Sequence, residues 1–133
     1  MNIVIDTNVI VSAIFFGGLP KKLVEMLLTH EFEAYASSEI LKEYNRSVNK
    51  VHKRYPQKPM RFNLRDISSA CHTITPASVI SVCRDPDDDK FIECAVDANC
   101  IYIVSGDKDL LSLEKYADIK ILTVSDFLEE YFS

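Results

Sequence analysis

Asp6 closes the apolar run NIVID, Glu43 sits in ILKEY, four aspartates crowd DPDDDKF at residues 85–91, and Asp107 follows an apolar run in IVSGDKDLL. Such carboxylates do chemistry together only if they converge. The crowded stretch is partly a helix start, with Asp85 as N-cap, Pro86 at the first helical position, and further acids in a first turn whose dipole favours negative charge. That leaves one acid to turn inward. Meeting Asp6, Glu43 and Asp107 in a half-buried site, it adds to a repulsion of several kcal/mol that a cation must neutralise. Oxygen donors without paired His or Cys suit Mg2+ or Mn2+, which bind through a few carboxylates and substrate phosphates. One such ion, or two roughly 4 Å apart, supports phosphodiester hydrolysis.

Each acid also has a plainer reading. Asp6 and Asn8 can be turn formers at a strand end. Glu43 can pair with Arg46 one helical turn away, for a few tenths of a kcal/mol. Asp107 and Asp109 can start a short helix after Ser105. These readings leave the shared location of the acids unexplained.

That location follows from the order of the elements. NIVID reads as a strand buried on both faces. NVIVSAIFF and, after Gly17 and Gly18, PKKLVEMLLTH read as helices, the second opening at Pro20. FEAYAS is a second strand, and Ser37 or Ser38 caps the helix SEILKEYNRSVNKVHKRY, whose Leu41, Tyr44, Val48, Val51 and Tyr55 share one face. Pro56 and Pro59 end that helix, and residues 60–72 form another. TIT or SVISV supplies a third strand. Pro86 to Ala98 is a helix, CIYIVS a strand, KDLLSLEKY a short helix, IKILTV a last strand and SDFLEEYF a closing helix. This alternation predicts an α/β fold, with a mostly parallel sheet of about five strands covered on both faces by helices. Ligands bind such sheets beyond the carboxyl ends of the strands, where the strand order reverses. Asp6, Glu43, Asp88 and Asp107 can all reach that edge.

With 133 residues, 47% of them hydrophobic, the chain supports one domain over residues 1–133 with a true core. No stretch approaches the roughly 20 apolar residues of a membrane span, and no basic region precedes an apolar N-terminal core, so a cytoplasmic protein is expected. Cys71, Cys83, Cys94 and Cys100 form no C-x-x-C pair, which argues against disulfides and structural zinc. His30, His52 and His72 lie far apart in sequence and read as surface or loop residues rather than ligands. The net charge of −5 is uneven: residues 42–65 hold eight Lys or Arg against one acid, Glu43, for +7, whereas residues 66–133 sum to −9. A basic segment in an acidic chain is weak evidence for a polyanionic partner, because solvated helix faces have the same composition.

The order IDTNVIVSA, SSEILKEY, CRDPDDDKFIECA, IVSGDKDLL resembles the PIN-domain family (PilT N-terminus), in particular the branch regarded as toxins of bacterial toxin–antitoxin pairs. The likeness spans essentially the whole chain. It implies a three-layer α/β/α sandwich and Mg2+- or Mn2+-dependent cleavage of RNA by an endoribonuclease, leaving 5'-phosphate and 3'-hydroxyl ends. By resemblance the metal-holding, catalytic acids are Asp6, Glu43, Asp88 and Asp107, with Asp89 the fallback for the third and Asp85 a further alternative. Ser105 keeps the hydroxyl that the family often has as Thr, and Asn8 would orient a water or the Asp6 carboxylate. Arg46, Lys50 and the basic residues toward Arg65 would hold the RNA backbone. A cognate antitoxin placing an Arg among the acids is implied, as is a homodimer through exposed Phe15, Phe16 and Leu19.

Two other classes compete. A phosphatase or receiver domain needs an acid pair or a D-x-D motif after the first strand, and IDTNV has one acid. A catalytically inactive PIN-fold module binding RNA or protein would lack one of the four acids, and all are present.

Overall fold

A computed structural model describes all residues, 1–133. Its strands are β1 (Asn2–Ile5), β2 (Glu33–Ser37), β3 (His72–Ile74), β4 (Tyr102–Val104), β5 (Lys115–Tyr116) and β6 (Ile119–Leu122). They form one sheet in the order β3-β2-β1-β4-β6-β5. All neighbours are parallel except β5, which pairs antiparallel with β6. The helices are α1 (Thr7–Phe15), α2 (Gly18–Leu28), α3 (Ser38–Arg54), α4 (Leu64–Ala70), α5 (Asp89–Asp97), α6 (Lys108–Leu111) and α7 (Val124–Phe132). Ile3, Val4 and Ile5 are all fully buried, so both faces of β1 are covered. α5 lies across β1, β2 and β4, α7 packs on β6, and α2 packs against α1, α4 and α7. This is the expected mostly parallel α/β architecture.

The strand order reverses between β1 and β4, because β2 and β3 extend from one side of β1 and β6 and β5 from the other side of β4. The backbone there is tightly tied: Asp6 N–H donates to Val104 O at 2.9 Å, and Ser105 N–H to Leu122 O at 2.9 Å. A cleft beyond these two strand ends is the expected ligand position.

Several elements depart from expectation for identifiable reasons. A sixth strand exists because KDLLSLEKY is helical only to Leu111. Its tail turns back as β5, with Glu114 and Ala117 at positive φ flanking it. The helix expected over 60–72 starts only at Leu64, where the Asn63 side chain caps Arg65 N–H. The second helix opens at Gly18, two residues before Pro20, because Gly17 and Gly18 take left-handed conformations that a side chain would strain. The third strand is HTI. SVISV stays irregular because its N–H groups are taken by acids of α5: Ala77 and Ser78 donate to Asp97, Ile80 to Glu93, and Val82 and Cys83 to Asp89.

Candidate active site

Asp6 is the residue after β1 and the N-cap of α1, and its carboxylate is buried. Ser105, the first residue after β4, donates its hydroxyl to Asp6 Oδ2 at 2.6 Å and accepts Asp107 N–H at 2.9 Å. One hydroxyl thus orients the first acid and ties down the loop that carries another. Asn8 does not perform that task. Its Oδ1 accepts Gly106 N–H at 3.4 Å, joining α1 to the same loop.

Asp107 combines two roles that sequence reading set against each other. It caps α6 through Asp109 N–H at 3.2 Å, and it also faces Asp6 and Asp88 closely enough to raise the proton affinity of both. Asp88 ends the 3-10 turn Pro86–Asp88, with Asp85 as the cap of that turn through Asp87 N–H at 3.0 Å. Burial first, then the charges of Asp107 and Asp6, push the Asp88 carboxyl up to about 7. Burial likewise pushes Asp6 up to about 6, helped by Glu43 and Asp107 and opposed by the Ser105 hydroxyl. Three acids therefore face one another with no Lys, Arg or His paired to any of them, which is the electrostatic condition of many functional sites.

Neighbouring aspartates take opposite directions. Asp89 is nearly as buried as Asp6, but its Oδ1 accepts Val82 N–H at 3.1 Å and Cys83 N–H at 2.8 Å, away from the cluster. As the fallback third acid Asp89 is therefore not brought to the site. It serves as an anchor for residues 82 and 83.

Glu43 reaches the cluster from the second turn of α3. Tyr44 beside it is buried and donates its hydroxyl to Ile5 O, fixing α3 against the end of β1. The partner of Glu43 is not Arg46. Its Oε2 accepts the Thr7 hydroxyl, and its Oε1 lies 2.7 Å from Lys90 Nζ. Lys90, 7% exposed, also lies 3.2 Å from Asp87 Oδ1 and 2.7 Å from Asp87 O. Burial works against its charge, but Glu43 and Asp87 hold its pKa above the ordinary value. Thr7 and Lys90 are the residues that sequence reasoning missed. A signal for Lys90 existed, since a lysine in the first turn of a helix opposes the dipole and needs a tertiary partner.

Asp6, Glu43 and Asp107, but not Asp88, line a groove of about 590 Å³ between α1 and α3, with Thr7 and Asn8 at the same end and Lys50, Arg54 and Tyr55 at the other. Lys50, one of the residues expected to hold an RNA backbone, lines this groove. Arg46 is exposed on α3 and is not part of the groove lining. Arg54 lies 5.6 Å from the centre of the half-exposed Tyr55 ring. Phe15, expected on an exposed dimer surface, is 1% exposed and belongs to the core, whereas Phe16 at 60% and Leu19 at 49% face solvent. No three His, Cys, Asp or Glu side chains are arranged closely enough to hold a metal ion together. The oxygen-only donor set of the acids, with carboxyls disfavoured as lone charges, fits a hard divalent cation.

A parallel sheet with carboxylates gathered where its strand order reverses defines an α/β domain with an acidic cleft, of the kind that handles phosphate esters through a metal. The chain belongs to the PIN-domain family: the model of the family described as PIN domain matches residues 2–109, a span holding all four candidate acids and stopping short of β5, β6 and α7. This is a family of nucleases, which act on nucleic acids and generally use divalent metals. An uncharacterized protein of Methanocaldococcus jannaschii is 36% identical over 143 aligned positions, covering 98% of this chain and 92% of the relative. No helix is long and apolar enough to cross a membrane.

Proposed function

We propose that this chain is a divalent-metal-dependent endoribonuclease, the toxin of a toxin–antitoxin pair. The observation that carries the reading is the gathering of Asp6, Asp88 and Asp107 at the β1–β4 reversal, where burial raises the proton affinities of Asp6 and Asp88 and nearby carboxylates, Glu43 and Asp107 at Asp6, Asp107 and Asp6 at Asp88, raise them further. Asp6, Asp88 and Asp107, with Glu43 beside them, would hold Mg2+ or Mn2+. When bound, the metal supplies water activation and stabilises charge on the leaving oxygen. Ser105 keeps Asp6 aimed into the cleft, and Thr7 and Lys90 keep Glu43 in place. In the reaction a water oxygen bonds to phosphorus and the bond to the 3'-oxygen breaks, leaving a 5'-phosphate and a 3'-hydroxyl.

Lys50 and Arg54 would hold phosphates of a strand lying along the α1–α3 groove, with Tyr55 offering a face to a base. Replacing Lys50 by Ala is expected to weaken RNA binding equally across sequences and to lower the salt slope of binding by roughly 0.7. An antitoxin Arg entering the acidic cleft would pair with two of its carboxylates and block it. Phe16 and Leu19, without Phe15, remain for a homodimer contact.

The test is cleavage of structured and unstructured RNAs with Mg2+, with Mn2+ and with chelator, beside Asp88→Asn. Cleavage that needs the ion and disappears in the variant is expected. Cleavage that survives chelator, or that Asp88→Asn performs at the wild-type rate, would overturn the proposal.

A further inference from the structure

Lys90 is an unusual neighbour for a metal-binding acid. It stands in the first turn of α5, where the helix dipole disfavours a cation, and it is 7% exposed, so its charge is not held there by water. Its ammonium is instead surrounded by oxygens: Glu43 Oε1 at 2.7 Å, Asp87 Oδ1 at 3.2 Å and Asp87 O at 2.7 Å. Glu43 is held at its other oxygen by Thr7. The acidic cleft therefore has two unlike halves. In one, Glu43 and Asp87 already share a cation supplied by the chain. In the other, Asp6, Asp88 and Asp107 face one another with none.

Resting on the metal-dependent reading above, we propose that the Lys90 ammonium is the resident cation of this site, standing where a second divalent ion would sit, so that the chain takes up one divalent ion rather than two. Asp6, Asp88 and Asp107 bind that ion. Glu43, engaged by Lys90 and Thr7, is a positioning residue that borders it. A fixed monocation beside Glu43 repels a second divalent ion there, and removing it frees a carboxylate pair suited to a hard cation.

Counting bound Mn2+ by calorimetry, with free Mn2+ followed by electron paramagnetic resonance, tests this without reference to activity. Wild type is expected to bind one ion, Lys90→Met two, and Lys90→Arg one, because arginine keeps the charge. Glu43→Gln should still bind one ion, with a loss of affinity within the 10- to 100-fold range (about that of an outer-shell partner). This variant keeps Lys90, so it tests the assignment even if Lys90→Met fails to fold. Two ions on wild type, one on a folded Lys90→Met, or none on Glu43→Gln would each overturn the proposal. Binding by wild type no greater than by an Asp6→Asn, Asp88→Asn double variant would instead remove the metal-dependent reading itself.

Discussion

The two ends of the central sheet carry the same functional group in opposite conditions. At the amino end, Glu33 opens β2 with His72 Nε2 at 2.6 Å and His30 Nδ1 at 3.7 Å from its Oε2. The hydrogen bond from His72, and then the imidazole charges, hold the Glu33 carboxyl below its usual range. At the carboxyl end, Asp6 and Asp88 are pushed up to about 6 and about 7. Strands of one parallel sheet present both groups, so backbone geometry does not separate them. Partners do. A carboxylate given a base at once is settled and structural, whereas carboxylates gathered with only one another keep a repulsion that a bound cation can relieve.

The largest effect should come from the carboxyl end. Asp6→Asn or Asp88→Asn is expected to reduce RNA cleavage by more than about a hundredfold, because even outer-shell partners of a metal cost 10–100-fold. Single-turnover cleavage rates at saturating Mn2+ measure this, and a loss below tenfold would put the acids outside the chemistry.

Next comes pH. The folded Asp6 holds its proton up to about pH 6, whereas its ordinary value is 3.8, so the folded chain binds the extra proton between these limits. Stability from this residue therefore falls as pH rises through that window, by at most about 3 kcal/mol. Without metal, Asp6→Asn should gain more in melting temperature at pH 7.5 than at pH 4. Equal gains at both would mean that Asp6 titrates normally.

A smaller effect is expected one residue from the cluster. Asp89→Ala removes the acceptor for Val82 and Cys83 N–H, at about 1–2 kcal/mol in chemical denaturation, and leaves cleavage per folded molecule unchanged. A cleavage defect as deep as that of Asp88→Asn would erase the distinction between the two aspartates.

The smallest effect belongs to the amino end. Glu33→Gln should lower the melting temperature slightly at neutral pH. Because the folded Glu33 titrates below its ordinary 4.5, its contribution is present above that pH and is lost as pH falls through the folded value. A variant difference that grows as pH falls below 4.5 would contradict this.

Much of the site was legible before any fold was known. Asp6 and Asp107 are named as candidates by motif and by their position after strands, and Ser105 by its place two residues before Asp107, whereas the third acid was narrowed only to Asp88 with Asp89 or Asp85 as alternatives. What could not be read was pairing across the chain. Glu43 had Arg46 one turn away as the obvious partner, but Lys90, 47 positions on, holds it. His30 and His72 looked isolated, but β2 and β3 pair in parallel with Tyr35 beside His72, which brings both imidazoles to Glu33. KDLLSLEKY read as one short helix. The tail pairs instead with β6, a strand that only the folded sheet brings beside it.

By itself the amino-acid sequence determined most of the succession of elements (without β5), the burial of β1 on both faces, the cap at Asp85 and one at Ser37 or Ser38, and which acids were available, because periodicity and capping are local properties of a few successive residues. Tertiary structure alone decided which of two adjacent residues faces inward: Asp88 and not Asp89 toward the cleft, Phe15 and not Phe16 toward the core. Successive helical side chains point about 100° apart. Which direction is inward depends on how each helix is rotated against the sheet, and that rotation is set by packing between segments far apart in the chain.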